Sequence, residues 1–356
     1  MPELPARPDL DQLRRQAKDL LRAAKRGDAA ALARMGAVSK RLSLDAAQLA
    51  LAREHGFASW ARLKTEVERH AILDSRDVPR LVALLTEDPA LATARMEHWC
   101  AHPKGASPLG YVAMLRYDPS RDAWRDLSGT GAVARALLDA GAPVDGDPEE
   151  PETPLITAAS YGEAEVAQVL IEAGADLEAA AAADAGGIPG GTALLHAAVF
   201  GMTGVVDVLV AAGARVHSIE EAAAAGDVGG WLTAEAPLEA RIRALVMAAD
   251  HQRLTVIDQL IAADTPVDAV DPQWGGHALR TAASNGRAAS VRHLLAHGAD
   301  PNLRDAEHHR TPLDWCRHAR ATSDSPGHQQ VEAMLAALTS PDLPARAEPS
   351  PPRPAP

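Results

Sequence analysis

One short segment of the sequence holds three side chains that could bind a metal. His98, Cys100 and His102 lie within five consecutive residues. Structural zinc sites usually take four ligands in pairs spaced by two to four residues, and no second well-spaced pair lies nearby. We therefore expect neither a metal nor another cofactor. A metal-dependent enzyme or metal-binding protein built on this segment is the alternative that the sequence leaves open.

A second group of such side chains lies near the C-terminus. His308 and His309 are followed by Cys316 and His318, again without the ligand spacing of a zinc site. Asp314, Cys316 and His318 also supply the residue types of an orienting acid, a nucleophile and a base. On a helix, however, side chains two residues apart point in different directions, so this trio is not expected to be catalytic. Core packing explains Cys316 better.

Other enzyme signatures are missing from the sequence. It contains no G-x-G-x-x-G after a strand, no phosphate-binding P-loop, no G-x-S-x-G and no H-E-x-x-H. The glycine pairs at residues 186–187 and 190–191 have no flanking strand, and we interpret them as flexible linker. The sequence therefore predicts a protein that is not an enzyme.

Charge limits the classes of partner. The net formal charge of −13 repels nucleic acid at long range. Residues 10–26 are an exception, because six Arg and Lys side chains there outnumber Asp11 and Asp19. We interpret this segment as the solvated outer face of a helix. Nucleic-acid binding through it is a weaker alternative.

The composition favours an all-α, water-soluble chain. Hydrophobic residues make up 47% and aromatic residues only 3%, so alanine and the aliphatic residues must build the core, and alanine favours helix. Residues 1–12 lack the pattern of a signal peptide, no apolar run approaches the roughly 18–20 residues that span a bilayer, and the two cysteines lie far apart. We expect a cytoplasmic protein. A monomer is favoured, although the sequence leaves the oligomeric state open.

Three stretches of the sequence repeat one another. Residues 153–176, 192–215 and 277–300 each run from an alanine-rich helical pattern through a glycine to a second apolar helical pattern, which ends in Gly-Ala-Asp or Gly-Ala-Arg. The same register recurs more weakly elsewhere, with steps that average about 34 residues. The repeats open at Ser107, Thr153, Thr192, His217, Arg243, His277 and Thr311.

This pattern resembles the ankyrin repeat family. The resemblance rests on Thr-Pro-Leu at residues 153–155 and 311–313, on paired alanines and on Gly-Ala-Asp, and it covers residues 106–338, about two thirds of the chain. It implies an all-α ankyrin-type α-solenoid of about seven helix-pair repeats, whose short antiparallel helices stack and share a core. The histidine usual at the fourth position of the family is missing here, so we expect looser polar ties between repeats.

The repeated residues suit the ends of short helices. Thr or Ser at an opening can cap the first helix, and Pro can follow it without losing a hydrogen bond. Glycines such as Gly162 and Gly174 can end a helix in the left-handed conformation. Gln252 and Asp264 replace such glycines in one repeat, which predicts strain or a different turn there. The copy after Ser218 has a truncated second helix.

The segment before the repeats has a different pattern. Residues 1–75 show helical stripes and include AQLALAREHGFASWARL, which resembles the helical segment that often precedes ankyrin arrays in bacterial proteins. Such a segment could cap the array. We expect four regions, namely an N-terminal helical segment (1–75), a degenerate repeat or junction (76–105), the ankyrin repeat array (106–339) and a disordered Pro-rich tail (340–356).

The resemblance implies a non-catalytic protein–protein interaction module. Ankyrin-type arrays bind a protein partner on their concave side, through the exposed ends of the first helices and the tips of the hairpin loops. Exposed aromatic side chains at such positions favour recognition. By register, the helix ends are Ser160, Tyr161, Val199, Phe200, Asp250, His251, Ser284 and Asn285, and the loop tips are Asp271, Gln273, Trp274, Glu307, His308, His309 and Arg310.

Overall fold

Helices dominate the computed structural model of this chain. It describes residues 4, 8–96, 106–118, 123–233, 235–273, 275–305, 307–321 and 325–339. These form two compact units, Met1–Val216 (unit 1) and His217–Pro356 (unit 2). None of the described helices combines the length and apolar character needed to cross a bilayer. The all-α prediction is confirmed.

The first unit contains eleven helices among its described residues. Two short antiparallel strands, β1 (Tyr117–Asp118) and β2 (Ala123–Trp124), interrupt them, and a 3-10 turn covers Pro89–Ala92. The helices are α1 (Leu10–Lys25), α2 (Ala29–Gly36), α3 (Leu44–Glu54), α4 (Trp60–Ser75), α5 (Val78–Glu87), α6 (Pro108–Ala113), α7 (Thr130–Asp139), α8 (Pro154–Tyr161), α9 (Ala164–Glu172), α10 (Ala193–Val199) and α11 (Thr203–Ala211).

The second unit contains seven helices among its described residues. They are α12 (Ile219–Ala225), α13 (Leu238–Asp250), α14 (Leu254–Ala262), α15 (Ala278–Ser284), α16 (Ala288–Ala296), α17 (Pro312–Arg320) and α18 (Pro326–Ala336). Most are only seven to nine residues long, too short to be stable alone, so packing against neighbours must hold them.

The predicted capping residues start the first helix of most repeats. The side chain of Thr153 accepts a hydrogen bond from the backbone N–H of Ile156, three residues on, and Pro154 follows without loss because that position needs no donor. His277 does the same through Nδ1, which lies 3.4 Å from the nitrogen of Arg280. Equivalent caps are formed by Ser107, Thr192, Ser218 and Thr311.

Within each unit the helices stack in two rows. In unit 1, α6, α8 and α10 pack in order as the inner row, while α5, α7, α9 and α11 form the outer row. In unit 2 the inner row is α12, α13, α15 and α17, and the outer row is α14, α16 and α18. This sideways stacking of helix pairs is the architecture of an ankyrin solenoid.

Apolar side chains between the two rows form the core. Leu155 and Leu170 in unit 1 and Leu260 and Leu294 in unit 2 are each 0% exposed. Burying one such side chain contributes about 1.5–3 kcal/mol. The paired alanines of the inner helices, such as residues 158–159, are also fully buried and let neighbouring helices approach closely.

The first four helices have their own core. One apolar cluster joins α1, α2 and α3, and another joins α1, α3 and α4. At the end of this segment Arg69 is 2% exposed and pairs with Glu66 at 2.5 Å. Its guanidinium also donates to three backbone carbonyls of the chain after α5. The boundaries predicted at residues 75, 105 and 339 stay predictions, and residues 340–356 lie outside the described part.

Two details of the repeats in unit 2 differ from expectation. The helix predicted to open at Arg243 begins at Leu238, because the extended Pro237 provides the break and no Ser or Thr caps the helix. Gln252 and Asp264 keep the left-handed conformation of the glycines they replace, with φ of 56° and 61°. Strain, rather than a different turn, is therefore the outcome at both positions.

Candidate partner-binding surface

The predicted contact residues of unit 1 lie at the C-terminal ends of two inner helices. Ser160 and Tyr161 end α8, while Val199 and Phe200 occupy the equivalent place on α10. The hydroxyl of Ser160 donates to the carbonyl of Ile156 at 3.0 Å, so its own helix uses this donor. Phe200 is 41% exposed.

Three aromatic rings lie together at this end of unit 1. Tyr117 and Trp124 face each other across β1 and β2 with ring centroids 5.4 Å apart. Tyr161 lies 6.2 Å from Tyr117 and 6.1 Å from Trp124. Tilted rings at such separations attract one another. We call Tyr117, Trp124 and Tyr161 the aromatic patch, and its Trp124 is 42% exposed.

Sequence reasoning missed two members of the aromatic patch. Tyr117 and Trp124 lie at and within the insertion that lengthens the step after Ser107, and the repeat register assigns no contact role there. The sequence did contain a signal for them. Only 3% of the residues are aromatic, yet this Tyr and this Trp lie seven residues apart.

Arg116 forms hydrogen bonds to the backbone next to the aromatic patch. Its guanidinium donates to the carbonyl oxygens of Gly162 at 2.7 Å and Arg125 at 3.3 Å. Gly162 has φ of +71°, and a Cβ there would lie 2.6 Å from Sδ of Met202. Glycine is therefore favoured by the backbone conformation, and a Cβ here would displace the side-chain ends of Met202 and Arg116.

A buried carboxyl group follows Gly162. Glu163 is 1% exposed and accepts a hydrogen bond of 3.0 Å from the hydroxyl of Thr130 in the preceding repeat. Burial raises the pKa of Glu163 to about 7, against the smaller opposing effects of the Thr130 hydroxyl and the Arg116 charge. Its other oxygen, Oε1, has no hydrogen-bond partner among the described residues.

Two predicted contact residues at the end of α13 are buried. Asp250 is 4% exposed and His251 1% exposed. The carboxylate of Asp250 accepts hydrogen bonds from Asn285 at 2.8 Å and from Arg287 at 3.0 Å, both in the next repeat. The prediction that these two side chains are presented to a partner is therefore corrected, because both are buried and Asp250 ties neighbouring repeats together. Asn285 remains exposed, and Ser284 is half-buried.

The predicted loop tips of unit 2 are held by aspartates. Asp271 is 0% exposed, and its carboxylate accepts from the backbone N–H of Gln273 at 2.7 Å, so its assignment as a contact residue is also corrected. Trp274 lies outside the described residues. Asp305 plays the same part at the next tip, where its carboxylate accepts from the backbone N–H of His308 at 2.6 Å and from the Trp315 indole at 2.8 Å.

The carboxylate of Asp305 is strongly acidic. Burial alone would raise its pKa, but hydrogen bonds from His308, Trp315 and Arg310 outweigh that effect and lower the pKa to about 2. The carboxylate therefore stays ionised and orders the turn throughout the neutral range. Beyond it Glu307, His308 and His309 are exposed, as predicted for a loop tip.

Trp315 is a second functional candidate that the repeat register did not select. The guanidinium of Arg280 lies 4.5 Å from its ring centroid, and that of Arg310 lies 5.1 Å away. His308 and His318 meet the ring edge-on at 5.3 Å and 5.8 Å. Trp315 sits inside a helix, where the repeat pattern predicts core, and this explains the omission.

Two family models match parts of this chain. Residues 126–220 match a family model described as ankyrin repeats (3 copies), and residues 260–316 match one described as ankyrin repeats (many copies). These two segments of the chain are therefore similar to ankyrin repeats. A crystal structure of the human ASB11 ankyrin repeat domain is 20% identical to the chain, over 77% of this chain and 99% of that one, with a TM-score of 0.37. No curated protein matches this chain significantly.

Ankyrin repeats are generally protein–protein interaction modules and non-enzymatic scaffolds. The histidine that the sequence lacks at the fourth repeat position has a counterpart one position later in one repeat. His196 is 0% exposed, lies with Nδ1 2.9 Å from the carbonyl oxygen of Thr192, and accepts the backbone N–H of Ile188 at 3.0 Å. Other polar groups, such as Asp250 and Glu163, supply ties between repeats.

The ankyrin helices also explain one of the two metal candidates. Cys316 is 0% exposed and its thiol donates to the carbonyl of His328 at 3.4 Å. Burial raises the pKa of the Cys316 thiol to about 11, so it remains protonated and unreactive at neutral pH. His318 lies against Trp315. The other candidate, His98, Cys100 and His102, lies outside the described residues.

Proposed function

We propose that this chain is a non-catalytic cytoplasmic module that binds a protein partner through the aromatic patch of unit 1. The observation that supports this is the cluster of the half-buried Tyr117 and Tyr161 with the exposed Trp124 at the end of an ankyrin inner helix. Partner-binding hot spots are rich in Trp and Tyr, which bury a large area with little loss of side-chain entropy.

The distribution of aromatic side chains supports a role in recognition. In a chain with 3% aromatic residues, three rings share one place on the surface, and Phe200 adds a fourth exposed ring one repeat further along. Covering the exposed rings of Trp124 and Phe200 with a partner would remove apolar area from water, which favours binding. The hydrogen bond from Arg116 to Gly162 fixes the backbone beside the patch, and such preorganisation reduces the entropy lost on binding.

Unit 2 offers further contact residues that we propose on exposure and register. They are Ser284, Asn285, Gln273, Glu307, His308, His309 and Arg310. Beside them Trp315 lies between two arginines, a combination that is also enriched at interfaces.

The α1 helix gives less support to nucleic-acid binding than its basic charge suggests. Arg14 pairs with Asp11 at 2.7 Å, and Arg22 pairs with Asp19 at 2.8 Å. Leu13 and Leu20 on the opposite face are buried. We therefore propose that α1 is the capping helix of the segment before the repeats.

The proposed surface can be tested by comparing co-purifying proteins. The double variant Trp124→Ala/Tyr161→Ala should lose the proteins recovered with the wild-type chain. Trp231→Ala is the matched control, because Trp231 is 36% exposed but lies in unit 2, outside the aromatic patch. Circular dichroism should show native helix content in all three proteins. Equal recovery of the same partner by the double variant would contradict the proposal.

A further inference from the structure

Three side chains that commonly bind metals converge on the outer row of unit 2. His293 and His297 lie on α16, and Asp258 lies on the neighbouring α14. Nε2 of His293 is 2.8 Å from Oδ1 of Asp258, and Nε2 of His297 is 2.7 Å from the same oxygen. Their side chains are 26%, 32% and 51% exposed, so an ion from solution can reach them.

The helical spacing explains why the two rings meet. Residues four apart lie on the same face of a helix, so both imidazoles project from α16 in the same direction. Their ring centroids are 4.9 Å apart with an interplanar angle of 66°. The stacking of α14 beside α16 then places the Asp258 carboxylate between their ends.

The distances fit a shared ion after small side-chain rotations. One ligand atom from each of the three residues lies within 4.8 Å of the others. A metal bound at about 2.0–2.1 Å from nitrogen or oxygen holds adjacent ligand atoms roughly 3 Å apart, close to the two separations between Asp258 and the histidines. Among the described residues, this is the group in which ligand atoms of three His, Cys, Asp or Glu side chains all lie within 4.8 Å of one another.

The donor set selects the class of ion. Two imidazole nitrogens and one carboxylate oxygen suit zinc, nickel, copper or ferrous iron. Calcium and magnesium prefer oxygen ligands throughout, and so are disfavoured here. Three protein ligands leave at least one coordination position for water.

We propose that Asp258, His293 and His297 form a divalent transition-metal site, for which zinc serves as the probe ion. The ion joins two consecutive repeats across the outer row and stabilises unit 2. The site is separate from the aromatic patch, so this proposal does not depend on the proposed function. Sequence reasoning missed it because Asp258 is 35 residues from His293, one repeat away, and only the stacking of repeats brings them together.

Zinc titration of the untagged, EDTA-treated full chain tests the site. Isothermal titration calorimetry should give one zinc ion per chain that is lost or weakened at least about tenfold in His293→Ala, His297→Ala and Asp258→Asn, since even outer-shell changes weaken metal binding by that much. His318→Ala is the matched control, because this exposed histidine belongs to the other histidine cluster, and it should bind zinc like the wild type.

Thermal unfolding gives a second measurement. Zinc should raise the Tm of the wild type and of His318→Ala but not that of a His293→Ala/His297→Ala double variant, whereas calcium and magnesium should leave every Tm unchanged. The altered side chains are partly or largely exposed, so the variants should fold. Equal zinc affinity of the wild type and the double variant, or no saturable binding by the wild type, would overturn the proposal.

Discussion

Two repeats of this chain make the same turn with different residues. In the α8–α9 repeat Gly162 and Gly174 have φ of +71° and +89°. In the α13–α14 repeat Gln252 and Asp264 take their places with φ of 56° and 61°. The left-handed conformation is cheap only for glycine, so the second repeat adopts it against local preference. Packing of the helices, rather than the turn residue, therefore sets the backbone path.

The residue after the first of these turns shows a second difference. In the α8–α9 repeat it is Glu163, which reaches back to the hydroxyl of Thr130. In the α13–α14 repeat it is Arg253, whose Nε donates to the carbonyl of Ala224 at 2.7 Å. The same position therefore holds a buried acid, Glu163, in one repeat and a base, Arg253, in the other. Both side chains link their repeat to the one before it.

Removing a core leucine should have the largest effect, and the same effect in both repeats. Leu170→Ala and Leu260→Ala each empty a fully buried site, and such changes cost about 2–5 kcal/mol. Urea unfolding of the two variants measures the loss. A clearly smaller loss for Leu260→Ala would show that the strained turns loosen the packing of the α13–α14 repeat.

Loss of the Asp250 carboxylate should be the next largest effect. Asp250→Ala removes the acceptor of hydrogen bonds from Asn285 and Arg287, and charged hydrogen bonds of this kind contribute about 1.5–3 kcal/mol. Denaturant midpoints of this variant and of Asn285→Ala, which removes only the exposed donor, test the assignment. Equal midpoints of the two variants would mean that the hydrogen bond between Asp250 and Arg287 does not contribute to the stability of the fold.

The buried acid should make the α8–α9 repeat sensitive to pH. The folded state keeps the Glu163 proton up to about pH 7, whereas the ordinary pKa of the unfolded chain is 4.5. The protonated Glu163 carboxyl therefore makes its full contribution to the free energy of unfolding below pH 4.5. This contribution is lost as the pH rises through 7. Glu163→Gln should remove this dependence and be more stable than the wild type at pH 8, by on the order of 2 kcal/mol.

Unfolding of both proteins at pH 5 and pH 8 measures this effect. Arg253→Gln is the control from the other repeat, since an arginine does not titrate in this range. If wild type and Glu163→Gln respond equally to the pH change, the buried carboxyl is not the cause.

The turn residues themselves should give the smallest changes, with opposite signs. Gln252→Gly relieves the left-handed strain and should raise the free energy of unfolding by about 0.5–1 kcal/mol. Gly174→Ala introduces the same strain, at a position where an added Cβ meets nothing within 4 Å, and should lower it by about 1 kcal/mol. Thermal melts of the two single variants are sufficient. Stabilisation by both changes would refute the account of the turns.

The sequence predicted the features that depend on local chemistry. Thr153, Thr192 and Thr311 cap helices where the Thr-Pro-Leu register places them, because capping involves residues only three apart. Glycines such as Gly162 mark the turns because the left-handed conformation depends on the turn residue itself. The start of α13 was missed because Pro237 opens it without a capping side chain.

Features that depend on contacts between repeats could not be predicted. Asp250 looked like an exposed helix end, and only the approach of Arg287 from the next repeat buries it. Tyr117 and Trp124 join Tyr161 because an insertion folds back as a strand pair. Residues 119–122, between those strands, lie outside the described part of the chain.

The outer row of unit 2 begins one helix later than its inner row. In the described part of residues 226–237 no second helix follows α12, and the chain turns instead through Gly229 and Gly230, which are exposed. Lengthening an exposed loop costs only a fraction of a kcal/mol per doubling, roughly 0.6. Extra chain inserted between these two glycines would replace the turn that Trp231 and Leu232 close by donating to the carbonyl of Val228, but it would enter no helix, which makes this bend a site where the protein can acquire a new element, in evolution or by grafting.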